Sequence, residues 1–172
     1  GGFTDAAIRI DAGSGSRILG NQIGGVGVGQ FNLFDANNDG VYEKHAVFVD
    51  KLVFPRFVMP MGANAVLTME SNQDEVWKYT DTNGDSVGDK KELFTTNFGR
   101  LANVEHLQSS LFWSMDNWLY STVNQFRIRE TPTGVIREPT GFNDAQWGAT
   151  QDDDGKQWFQ NGWLGVPGYF QF

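Results

Sequence analysis

A repeat limits the fold of this chain more than any other feature. Phe34-Asp35-Ala36-Asn37-Asn38-Asp39-Gly40-Val41-Tyr42-Glu43-Lys44 runs in step with Thr80-Asp81-Thr82-Asn83-Gly84-Asp85-Ser86-Val87-Gly88-Asp89-Lys90. Asp, Asn, Asp, Val, an acid and Lys recur, and Val47-Phe48 and Leu93-Phe94 follow at one offset. Asp35 and Asp81 lie 46 residues apart. A period of roughly 40–50 residues is that of one four-stranded propeller blade, a unit that buries its apolar faces only against its neighbours. A weaker repeat relates Asp116-Asn117-Trp118-Leu119-Tyr120 to Asp154-Gly155-Lys156-Gln157-Trp158-Phe159. In both, turn residues lead into aromatic-rich sequence, which is a hairpin signal.

Between the turns lie short runs rich in Val, Leu, Phe, Trp and Tyr: Ala46–Phe54, Ala65–Met69, Val76–Tyr79, Glu92–Thr95, Ser110–Trp113, Trp118–Val123 and Gln125–Arg129. Fourteen Phe, six Trp, four Tyr and 21 Gly suit short strands and tight turns. No amphipathic helix is evident, and the five prolines fall between or at the ends of the runs. The expected fold is therefore all-β, an incomplete β-propeller of four-stranded blades. At four strands per blade, residues 1–172 make a single partial propeller domain of about three to four blades. The start at Gly1-Gly2 and the stop within aromatic sequence at Phe172 predict that the remaining blades lie in residues or chains outside this one.

Charge narrows the partners. The formal net charge is -8, so a nucleic-acid partner is not expected, because phosphate recognition needs a basic surface. With no cysteine, the chain has no disulfide and no thioether-linked haem c of its own. No apolar run is long enough for a transmembrane segment.

The acidic loops are candidate cation sites. Asp35, Asn37 and Asp39, with Glu43 and the Val41 carbonyl, offer oxygen ligands at calcium-loop spacing. Asp81, Asn83, Asp85 and Asp89, with the Val87 carbonyl, repeat the arrangement, although Ser86 stands where such a loop has glycine. Both runs are equally readable as turns whose side chains cap their own backbone. Of the two histidines, His45 reads as a packing or surface residue. His106 precedes the first strand of a blade and is a candidate general base, with Glu105 or Asp116 to orient it.

These runs resemble a family. Phe34 to Gly40, Phe48 to Pro55, Val76 to Asp85, Asn103-Val104-Glu105-His106 with Met115-Asp116-Asn117-Trp118-Leu119-Tyr120, and Gln146 to Gly155 are similar to the membrane-bound dehydrogenase β-propellers of the PVC type. Those exported proteins are often linked to haem c and are in turn similar to soluble glucose/sorbosone dehydrogenase propellers. The resemblance implies an exported sugar- or alcohol-dehydrogenase-like propeller, periplasmic or extracellular and membrane-associated through partners. It implies His106 as catalytic base, calcium and pyrroloquinoline quinone as cofactors, and transfer of electrons to a haem c domain elsewhere. Arg100, Arg127 and Arg129 are the basic residues available to hold the quinone. The chain departs from the family at Ser114-Met115, and no clustered basic clamp is visible. The alternative is a non-catalytic propeller scaffold or accessory subunit within a larger exported complex.

Overall fold

Apolar residues that alternate along short runs form strands, and these strands pair antiparallel in sequence order. A computed structural model describes residues 17–21, 28–34, 44–99, 106–162 and 167–169. The first sheet contains β1 (Arg17–Asn21), β2 (Val28–Phe34) and β3 (Lys44–Leu52). The second contains β4 (Pro55–Pro60), β5 (Ala65–Glu70), β6 (Val76–Thr80) and β7 (Lys90–Thr95). The third contains β8 (Phe112–Trp113), β9 (Leu119–Tyr120), β10 (Phe126–Thr131) and β11 (Gly134–Pro139). The fourth contains β12 (Ala145–Gln151), β13 (Gln157–Asn161) and β14 (Pro167–Tyr169). Each sheet is an independent meander, and among the described residues no ladder joins one sheet to another. The fold is all-β, with no α-helix among the described residues.

Side-chain alternation stacks the sheets in sequence order. From β5, Val66 packs with Phe48, Val49 and Leu52 of the first sheet. Its neighbours Ala65, Leu67 and Met69 pack instead with Leu111, Leu119 and Ile128 at the third sheet. The pattern repeats one sheet on. Leu119 faces back to the second sheet, while Trp118 and Tyr120 join Ala145 and Phe159 of the fourth. Ala65 to Met69 are therefore buried on both faces, whereas the last strand of the second sheet, β7, is mostly exposed. Phe98 wedges the second and third sheets, meeting Phe57 edge-on at 6.0 Å and Phe126 at 5.7 Å.

The two hairpins that the weaker repeat predicts are the same turn. Ser114 N donates to Trp118 O (2.8 Å) and Asn117 N to Ser114 O (2.9 Å). Asp152 N donates to Lys156 O and Gly155 N to Asp152 O, both at 3.0 Å. Asn117 (φ 65°) and Gly155 (φ 80°) fill the left-handed position, which glycine and asparagine tolerate best. This fixes Asp116 opposite Asp154 and Tyr120 opposite Trp158.

Strand limits depart from the sequence reading where position decides them. The run Ala46–Phe54 stops at Leu52, because Phe54 turns to φ 47°. The run Trp118–Val123 contributes only Leu119–Tyr120, because Val123 sits at φ 69°. Strands β1, β2, β4, β11, β12 and β14 lie outside the runs that the sequence marks as strands. Two prolines bound β4, and β11 is an exposed, charged outer strand without apolar alternation.

Candidate functional site

All the sheets with described contacts point the same way, so the chain has two distinct ends. At one end, called here the crossover end, the chain passes from sheet to sheet. Arg56, at the start of β4, donates to Leu107 O and Gln108 O (both 3.1 Å) ahead of β8. Arg137, near the end of β11, donates to Thr96 O (2.7 Å) and Asn97 O (3.0 Å) just beyond β7. Val123 N, beyond β9, donates to Asn143 Oδ1 (2.8 Å) ahead of β12. The opposite, hairpin end carries the loop at 81–89 and the turns at 114–118 and 152–156.

His106 lies half-buried at the crossover end, beside the fully buried Leu107 and Gln108. Ser109 then pairs with Thr122 through Thr122 N to Ser109 O (3.1 Å) and Ser109 N to Thr122 Oγ1 (2.7 Å). The basic group brought to this segment is Arg56, which the sequence reading missed and which bonds the carbonyls of the two residues that follow His106. Burial pulls the Arg56 guanidinium below its usual value. The one signal in the sequence is a lone arginine on a short run between two prolines, Pro55-Arg56-Phe57-Val58-Met59-Pro60.

Backbone strain divides between the ends as well. Of the eight non-glycine residues with positive φ among the described residues, six lie at the crossover end: Lys51, Phe54, Asn72, Asn97, Ser110 and Val123. At the hairpin end the left-handed positions fall to Gly62, Gly84, Gly134 and Gly155, with Ser86 and Asn117. A bulky or β-branched residue in this region costs about 1–3 kcal/mol and persists only where its surroundings hold it. Phe54 is so held, its carbonyl accepting from Ser71 N (3.0 Å) and Ser71 Oγ (2.8 Å).

The second acidic loop lies at the hairpin end, away from His106. Asp81, almost fully buried, accepts from Asn83 N (3.1 Å) and Gly84 N (2.6 Å) through Oδ1, and from Ser86 N (2.8 Å) through Oδ2. Asn83 accepts from Asp85 N (2.9 Å), Asp85 from Val87 N (2.9 Å), and Asp89 from Thr82 N (3.0 Å). Ser86, at the position calcium loops give to glycine, turns at φ 71°. The carboxylates close the turn on main-chain amides, and among the described residues no three acidic or histidine side chains converge. Asp81→Ala is expected to cost about 1–2 kcal/mol by stranding these amides, equally with and without EDTA in thermal unfolding. A cost that appears only with calcium present would assign the loop to the metal instead. Asp35, Asn37, Asp39, Val41 and Glu43 of the first loop lie outside the described residues, as do Arg100 and Glu105.

Arg127 and Arg129 form no clamp with His106. They project from β10 towards the fourth sheet, where both stack on Trp118, at 4.5 and 4.3 Å from the ring centre. Arg127 also donates to Glu138 through Nε (3.3 Å) and Nη2 (2.8 Å), to Asp116 (3.1 Å) and to the Tyr120 hydroxyl (3.0 Å). Burial lowers the Arg127 pKa, but the bonds to Tyr120 and Glu138 outweigh it and leave the group above its usual value. Asp116 accepts from Tyr120 (2.6 Å) and from Trp118 N (3.1 Å), so it is committed at the hairpin end. Asp116 and His106 stand at opposite ends of the β8–β9 hairpin.

The architecture defines the chain as a run of stacked antiparallel sheets with one strained end. Residues 28–165 match the family described as Domain of unknown function (DUF7133), and the chain belongs to that family. No curated protein and no solved structure matches it.

Proposed function

We propose that the four sheets are blades of a β-propeller in an exported sugar- or alcohol-dehydrogenase-like protein, and that this segment serves there as framework. The supporting observation is the stacking order. Each sheet covers a face of the one before it, with common polarity, and the last strands of the second, third and fourth sheets are mostly exposed, as in blades around an axis. The residues expected to hold a quinone support the framework role. Arg127 is paired with Glu138, Asp116 and Tyr120, which leaves it poorly placed for a cofactor carboxylate, and Arg129 is stacked on Trp118. Among the described residues no helix is long and apolar enough to cross a membrane. The missing blades, and any haem c domain, belong in this reading to other parts of the exported, periplasmic or extracellular assembly.

A second reading draws on the strained crossover end, where Arg56 holds the main chain that follows His106. Strain of this kind concentrates at functional sites. In that reading His106 would take the proton from a sugar or alcohol hydroxyl, and a quinone held nearby would supply the hydride acceptor. Quinone-dependent oxidation by the full-length protein separates the two. The framework role expects His106→Ala to retain the activity within about threefold, whereas catalysis by His106 expects a loss of at least about 100-fold.

A further inference from the structure

The fourth sheet has an outer face, and the repeat says what covers it. Tyr120 in the third sheet and Trp158 in the fourth occupy the same place relative to identical hairpin turns. Each donates its polar atom to a turn carboxylate: Tyr120 Oη to Asp116 (2.6 Å), Trp158 Nε1 to Asp152 (2.8 Å). These bonds leave the ring to make apolar contacts. Tyr120 is 0% exposed, buried under Ala145 and Phe159 of the sheet that follows it in sequence. Trp158 lines an open groove of about 450 Å³ with Thr150, Gln160 and Pro167.

The cation at this face does not mark it as solvent-facing. Lys156 lies 4.4 Å above the Trp158 ring and 4.0 Å above that of Tyr169. In the third sheet Arg127 and Arg129 stack in the same way on Trp118, yet Trp118 is only 5% exposed once the fourth sheet is in place. An aromatic layer with stacked cations is therefore the surface that this repeat buries.

We propose that the outer face of the fourth sheet is the docking face for a fifth antiparallel sheet of the same repeat, contributed by the same polypeptide. The proposal rests on the propeller reading and goes beyond it by assigning the face, its anchor and the chemistry of its occupant. Trp158 is the anchor, and the occupant presents a small and an aromatic side chain to it, as Ala145 and Phe159 present theirs to Tyr120. The source follows from the order within the chain, where each sheet is covered by the next in sequence.

Oxidative footprinting of tryptophans in the full-length protein tests this, with Trp113, 43% exposed, as the internal reference. Trp118 and Trp158 are both expected to react at least about tenfold more slowly than Trp113, at every protein concentration. Protected Trp118 with Trp158 as reactive as Trp113 overturns the docking face and leaves the stack standing. Fast reaction of both overturns the stack itself, and with it the propeller reading. Protection of Trp158 that falls on dilution overturns the same-chain source in favour of a second molecule. A gene product without residues beyond this chain overturns it too.

Discussion

Gly99→Ala is expected to destabilise the chain by about 3 kcal/mol, at the upper end of what a single added methyl group costs. The residue is in an ordinary backbone conformation, so the cost comes from space. A Cβ at Gly99 would lie 1.9 Å from Gln73 O and 2.7 Å from Asp74 Cα. Both are main-chain atoms of the β5–β6 connection, and no rotamer change moves them away. The neighbouring bond, Phe98 N to Asp74 O (2.9 Å), ties the same two segments together. Backing Gly99 off that connection would draw Phe98, 2% exposed, out from between Phe57 and Phe126. The methyl group therefore opens the seam between the second and third sheets. Gly148→Ala is the matched control: its Cβ would meet nothing within 4 Å, and a change within about 0.5 kcal/mol is expected. Urea unfolding checks both through the midpoint at unchanged slope. A Gly99→Ala midpoint equal to wild type would show that the seam is looser than described.

The seam also shows how far the sequence could be read. Turn chemistry was legible because Asn117 and Gly155 announce left-handed positions locally, and the register of the two hairpins follows from those residues alone. Val66 and Leu67 were legible as strand, yet nothing local says that one faces backward and the other forward, because both faces are covered. The site was less legible for the same reason. Arg127 and Arg129 read as available cations, but their i, i+2 spacing sets them on one face of β10, opposite Tyr120 of β9 and Trp118 just before it. An aromatic–acid–arginine layer forms there, in which Arg127 is paired with Asp116 and Glu138 and Arg129 is stacked on Trp118. That signal was present in the alternation of the two strands and required only their pairing, Ile128 opposite Leu119. Arg56 could not be found this way, since its acceptors are the carbonyls of Leu107 and Gln108, more than fifty residues on, and any residue type supplies a carbonyl.

The same layer gives the chain a measurable alkaline limit. Between pH 10 and pH 12 the wild type is expected to lose about 2–3 kcal/mol more stability than Tyr120→Phe. Burial first, and then the hydrogen bond to the Asp116 carboxylate, push the Tyr120 phenol up to about 12, against the opposing pull of Arg127. In the unfolded chain a tyrosine titrates near 10. Below pH 10 both states hold the proton, and Tyr120 makes stability no more dependent on pH than phenylalanine does. Above pH 10 the unfolded chain releases a proton that the folded chain keeps. The unfolded state then binds fewer protons, so stability falls as pH rises, at about 1.4 kcal/mol per unit until the folded phenol also ionises near 12. Tyr120→Phe removes the group from both states, so its stability should fall less steeply through this window, although it starts about 1 kcal/mol lower at neutral pH for want of the bond to Asp116. Urea midpoints for the two proteins at half-unit steps from pH 8 to pH 12 give the difference directly, and titrations common to both cancel. Parallel curves across the window would mean that the phenol ionises in the folded chain as it does in water, and that the layer between the third and fourth sheets is open to solvent.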